Sequence, residues 1–150
     1  MKHDIFKTQI IMFIIMLFIG IFFNAMNILA YRVSDLYFSL TLFYGGMLMA
    51  SNMIWGHELV MYFSTGHINK MVFIIGIVLS FFISIFLLRS QLFINDEEWL
   101  KRMISHHSTA LTTSHNIYKK TNNIKIKELS NNIIKTQENE IKIMKSILNS

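Results

Sequence analysis

Three apolar runs, each long enough to cross a bilayer, leave this chain little choice of fold. The run from Ile5 to Leu29 holds a single charge, Lys7, while those from Leu36 to Trp55 and from Met71 to Leu88 hold none. A hydrocarbon core of about 30 Å takes about 20 helical residues at about 1.5 Å each, so three transmembrane helices are predicted. A secretory leader is the competing reading of the first run, with Lys2 and Lys7 as its basic start. The stretch Asn24-Ala25-Met26-Asn27-Ile28-Leu29-Ala30 has no small-x-small cleavage pattern, and the run is expected to be retained as a helix. Tyr31, Tyr37, Trp55 and Tyr62 fall near the ends of these runs, where amphipathic rings favour the headgroup layer.

Composition points the same way. Charged residues make up 15% of the chain and hydrophobic ones 53%, whereas a water-soluble domain carries about 25% charged residues. With no proline and only 6 glycines among 150 residues, long helices are favoured over a loop-rich sheet, and an all-α fold follows. The chain has no cysteine, so it can hold no disulfide, no thiolate metal site and no cysteine nucleophile; any metal must be held by His, Met, Asp, Glu or Asn. The net charge of +5 is scattered along the chain. The lipid bilayer is therefore the expected partner and no nucleic acid is.

Beyond Gln91 the chain becomes rich in Asn, Lys, Ser, Thr and Glu, and its apolar residues thin to a helical period. Residues 1–91 are read as a membrane domain and 92–150 as a soluble helical hairpin. Asn95 or Asp96 caps the first helix, which is expected to run from Asp96 to about Tyr118, with Glu97 and Glu98 in the first turn favouring the helix dipole. Lys119 to Asn123 reads as the turn. The second helix is expected from Ile124 to Leu148, with Leu129, Ile133, Gln137, Ile141 and Met144 facing inward. Two helices alone bury little, so the hairpin is expected to pair with a second copy or to lie against the membrane helices. Lys2, Lys7 and Lys70 on one side and Arg32, Arg89, Lys101 and Arg102 on the other nearly balance; the tail is assigned to the non-cytoplasmic side.

The residues that carry chemistry concentrate in the tail. Met103 precedes His106 by three positions and His107 by four, crowding a thioether and two imidazoles onto one helical turn. Gln137, Glu140 and Met144 follow one another at the same offsets on the second helix. In one reading His106 and His107 bind a soft transition metal, copper foremost, with Met103, Met144 or Glu140, while Gln137 orients a ligand from behind. In the other, the histidines only hydrogen-bond to Gln137 and Glu140, fixing helix packing in a structural or oligomerisation protein. Spacing alone leaves both open.

Met49, Met53, His57 and Met61 also recur every four residues on the second run, a column that suggests a soft-metal path or ordinary lipid-compatible filler. Asn24, Asn27 and Asn52 offer interhelical hydrogen bonds. No phosphate loop, nucleophile elbow or H-E-x-x-H element occurs, and the paired Glu-x-x-His elements of a dinuclear oxidase are missing. No catalytic residue is assigned and no enzyme activity is expected.

The segments from Met103 to Leu111, from Leu129 to Ile134 and from Gln137 to Met144 resemble the family catalogued as domain of unknown function 305. Arg89-Ser90-Gln91, Met61-Tyr62 and Asn69 are similar to its small membrane-anchored branch. The resemblance implies a ferritin-like helical tail and a family in which some members bind copper or silver through Met and His. Its Met-x-x-His-His falls on Met103, His106 and His107, and its Gln-x-x-Glu-Ile-x-x-Met on Gln137, Glu140, Ile141 and Met144. Ser105 stands where a proline is usual, which is expected to loosen the helix there. Asn122-Asn123 replaces an Asp-Pro turn.

Overall fold

The structure, a computed structural model, describes residues 2–150, with side chains from Phe6 onward. It is all-helical, with no strand among the described residues. In chain order the elements are α1 (Lys2–Phe22), a short α2 (Ala25–Ile28), a 3-10 turn (Val33–Asp35), α3 (Leu40–Thr65), α4 (Lys70–Phe82), α5 (Asp96–Lys120) and α6 (Ile124–Leu148). Helix α4 runs on as a wider π-helical stretch over Ile83–Arg89. Two compact units result: Met1–Phe23 with Leu40–Phe93, and Asn24–Ser39 with Ile94–Ser150. The sequence reading had assigned residues 24–39 to the membrane half; in the structure they fold with the tail.

In the first unit α3 packs against both α1 and α4. Its inward contacts are made by small residues. A Cβ on Gly20 would stand 2.9 Å from Gly46 Cα, and one on Gly76 would stand 2.9 Å from the Trp55 backbone nitrogen, so these backbones touch as they do where membrane helices associate. Ala50 and Ser51 are fully buried, and Ser80 donates a hydrogen bond to Ser51 Oγ at 3.0 Å. Many bulky side chains point the other way: Ile10, Ile14, Phe18 and Phe22 on α1, and Met71, Ile74, Val78 and Phe81 on α4, are exposed, while Ile21, Tyr44, Val72 and Ile83 are buried. Past α4, Gln91 and Phe93 adopt left-handed backbone, φ 53° and 60°, and Tyr44 Oη donates to Leu92 O at 3.0 Å, pinning this reversal.

Two described helices are long and apolar enough to cross a membrane, Phe6–Ile28 and Lys70–Arg89. The predicted second span differs. It is the 26-residue α3, of ample length, but Tyr44, Gly45, Gly46, Ser51, Asn52, Gly56, His57 and Glu58 dilute its apolar character below that of a free-standing span.

The second unit is built on the α5–α6 hairpin. Asn95 caps α5 by accepting from Glu98 N at 2.9 Å, and Asn123 caps α6 by accepting from Lys125 N at 3.0 Å. Lys119 and Lys120, read as part of the turn, extend α5 instead, leaving Thr121 to Asn123 as the connection. Helix α5 continues unbroken through Ser105, so the residue standing in place of proline does not loosen it. Leu100, Ile104, Leu111, Ile134, Ile141 and Met144 form the core. Leu129, expected inside, is 60% exposed; Ser130 and Ile134 take the inward face. The expected four-residue spacing drifts off the 3.6-residue turn by about 40° per step, which carries Leu129 out of the row.

Candidate functional site

One side of the hairpin holds a cavity lined by Trp99, Met103, His107, Glu140, Ile143 and Met144. Four of the five predicted metal ligands therefore meet. Helix geometry explains why the fifth does not: successive residues diverge by about 100°, so an adjacent pair cannot share one narrow target. His107 turns inward, whereas His106 is exposed and does not line the cavity. Their ring centroids are 6.0 Å apart at 61°.

Within the cavity wall His107 Nδ1 lies 3.0 Å from Glu140 Oε2. The atom is buried, and Glu140 stands against it as an ion-pair partner. Gln137 Nε2 donates to the same Glu140 oxygen at 3.4 Å. Gln137 is only partly buried and the Glu140 side chain is 43% exposed. Both sit on the rim of the hairpin, not on its buried stripe as expected. Burial holds the His107 pKa below the ordinary histidine value, partly opposed by the charge of Glu140 and reinforced by His106. Among the described residues no three His, Asp or Glu side chains converge; at this cavity the remaining donors are the two methionine sulfurs.

The sequence reading missed a buried polar cluster on the other side of α5. Asp35 is fully buried. Its carboxylate accepts from Lys145 Nζ at 2.6 Å and from Ser108 Oγ at 2.7 Å, and its backbone carbonyl accepts from Ser105 Oγ at 2.9 Å. Around it, Tyr31 N donates to Ser108 Oγ at 2.8 Å, Thr109 Oγ1 donates to Met26 O at 3.1 Å, and the Tyr31 ring stacks on His115 at 4.8 Å. These contacts dock residues 24–39 onto the hairpin as its third layer. A usable signal was present: Asp35 is the lone acid between Asp4 and Glu58, and a carboxylate in so apolar a stretch of chain needs a cationic partner when buried.

The methionine column of α3 is divided in the first unit. His57 and Met61 line a cavity at the α3–α4 turn, while Met49 and Met53 do not.

Comparison with known proteins agrees with the tail motifs. Residues 90–150 match the sequence model of a domain of unknown function, DUF305. An uncharacterized protein of Acanthamoeba polyphaga mimivirus is 36% identical over 142 residues, spanning 95% of this chain and 92% of its own length. No solved structure matches the chain significantly. Through its tail, the chain belongs to the DUF305 family.

Proposed function

We propose that this is a multi-pass membrane protein whose tail unit binds and buffers a soft transition metal, copper foremost. The observation that carries the reading is the convergence of Met103, His107, Glu140 and Met144 on one cavity of about 230 Å³. The donor set fits the metal. Thioether and imidazole together favour copper over harder ions, and the His107–Glu140 pair sets an imidazole nitrogen and a carboxylate oxygen 3.0 Å apart at the cavity. Met103, His107, Glu140 and Met144 would hold the ion and Gln137 would orient Glu140; copper supplies soft-ligand affinity there, and no reaction is assigned. Support for membrane residence comes from the exposed apolar faces of α1 and α4, far larger than a water-soluble surface tolerates. Helix α3, packed between them through small residues, crosses as the third span, because a helix with two helical neighbours need not be apolar all round.

The test uses the full chain in detergent, since residues 24–39 belong to the tail unit. Titration with Cu(I) under a competing chelator should show binding that falls at least about tenfold in His107→Ala and in Met103→Leu/Met144→Leu, with His106→Ala close to wild type. Equal, negligible binding by wild type and His107→Ala defeats the reading.

The second reading, a structural or oligomerisation protein, draws on the exposed Trp99, Ile143 and Ile147 of the hairpin, an apolar set suited to a second copy. It expects chelator to leave both melting temperature and oligomeric state unchanged.

A further inference from the structure

The polar cavity at the α3–α4 turn is unrelated to the tail. It measures about 710 Å³ and is lined by Gln9, His57, Glu58, Met61, His67 and Lys70 among others, a size suited to an organic molecule and far beyond a bare ion. Its deepest groups are buried acceptors. Glu58 is 5% exposed and Gln9 8% exposed. One Glu58 oxygen accepts from Gln9 Nε2 at 3.2 Å and the other from Asn69 N at 2.8 Å. Both donors are neutral. Among the described residues the ion-pair partner of Glu58 is His57, whose Nδ1 stands 3.9 Å away, beyond hydrogen-bond reach. Gln9 Oε1 is buried and has no donor. Turning the amide over would bring its oxygen to 3.5 Å from His57 Nδ1, but would set it closer still, at 3.2 Å, against the Glu58 carboxylate.

A carboxylate without a full counter-charge, beside an orphaned carbonyl oxygen, calls for a ligand that is positively charged and donates hydrogen bonds. A metal ion is the poorer candidate, since no three His, Asp or Glu side chains converge among the described residues. Met61, Ile68 and Met71 supply apolar wall, and Lys70 and His67 add a basic pair suited to an anionic group on the same molecule. We propose that this cavity binds a primary ammonium group carried by an amphiphile, with Glu58 and Gln9 Oε1 receiving the ammonium. The chemistry is that of an aminophospholipid headgroup. The proposal is independent of metal binding by the tail.

The experiment is native mass spectrometry of the full chain in detergent, with equimolar phosphatidylethanolamine and phosphatidylcholine of identical acyl chains. Phosphatidylcholine carries a quaternary ammonium that cannot donate, so phosphatidylethanolamine should be retained about tenfold more, the worth of one charge-assisted hydrogen bond. Glu58→Gln should abolish that preference. Gln9→Met, of similar length but without the oxygen, should reduce it, and its helical circular dichroism gives a second check should Glu58→Gln misfold. His107→Ala should leave it intact. Displacement by free ethanolamine would place the amine alone at the site, while displacement only by lipid would require the whole headgroup; either supports ammonium recognition. Equal retention of both lipids by wild type, or a preference that survives both Glu58→Gln and Gln9→Met, overturns it, as does Zn(II) or Cu(I) binding lost in Glu58→Gln without any lipid preference.

Discussion

The two units are built from opposite materials. The first buries Ala50, Ser51 and Ser80 beside Ile21, Tyr44, Val72 and Ile83, brings Gly20 against Gly46, and exposes a wide face of Phe and Ile that includes Ile14, Phe18 and Phe81. The second buries Leu100, Ile104, Leu111 and Ile141 and turns Lys, Asn and Glu outward. On the membrane reading, each arrangement suits its solvent. In water, apolar area is worth hiding at roughly 25 cal/mol per Å². Lipid offers no such gain between helices, so close backbone approach and hydrogen bonds decide packing there. Charge follows the same division: Asp35 in the tail unit is closed off by a lysine and a serine, whereas Glu58 in the other accepts, among the described residues, from the neutral donors Gln9 Nε2 and Asn69 N.

The hardest blow to this contrast would be struck at Lys145. Replacing it by Met leaves Asp35 fully buried without its cation, and breaking a buried pair from one side costs about 3–5 kcal/mol. The chain has one tryptophan in each unit, Trp55 and Trp99. In a Trp55→Phe background, Trp99 fluorescence should therefore show the tail unit unfolding at much lower urea. A loss below about 1 kcal/mol would mean that the ion pair contributes no more than a surface one, and that residues 24–39 are held by their serine and backbone contacts.

Next in size is a crossed pair of substitutions. Leu111→Ala empties part of a fully buried site in the tail and should cost about 2–5 kcal/mol there. Gly46→Leu does the reverse in the other unit, where even a Cβ would stand 2.7 Å from Ile21 Cγ1; overpacking of this kind costs about 1–3 kcal/mol. Trp99 should report the first change and Trp55 the second. If Gly46→Leu is silent while a large-to-small change at exposed Phe81 destabilises the first unit, its packing is that of a water-soluble core and the membrane reading fails.

Local signals were legible and long-range ones were not. The α5 start follows from the cap at Asn95, which acts on an amide three residues away, and the α6 start at Ile124 from the helical period that resumes after Asn122-Asn123. The stop of α6 at Leu148 was equally plain. The gathering of Met103, His107, Glu140 and Met144 followed from helical offsets, but choosing between His106 and His107 required knowing where α6 lies. The Asp35–Lys145 pair joins residues far apart in the chain and leaves no periodic trace. Helix α3 was read as a span from its length and lack of charge up to Trp55; its small and polar residues make sense only once α1 and α4 are seen to pack on it.

The smallest effect concerns pH, and it separates the two readings of the tail. Burial lowers the His107 pKa in the folded chain, so the unfolded chain, with histidine near about 6.5, binds the proton more readily. Above that value both states are neutral and His107 adds no pH dependence. As pH falls from the unfolded value through the lowered folded one, protonation favours unfolding and the tail unit loses stability. With chelator present, the Trp99 urea midpoint should therefore drop between about pH 7.5 and pH 5 more in wild type than in His107→Gln, while the Trp55 midpoint shows no such difference. The sign carries the information. An imidazole that stays neutral into mild acid is ready to coordinate a metal. Should wild type instead gain stability relative to His107→Gln on acidification, Glu140 would be holding an imidazolium, and the pair would act as a packing ion pair in place of a metal site.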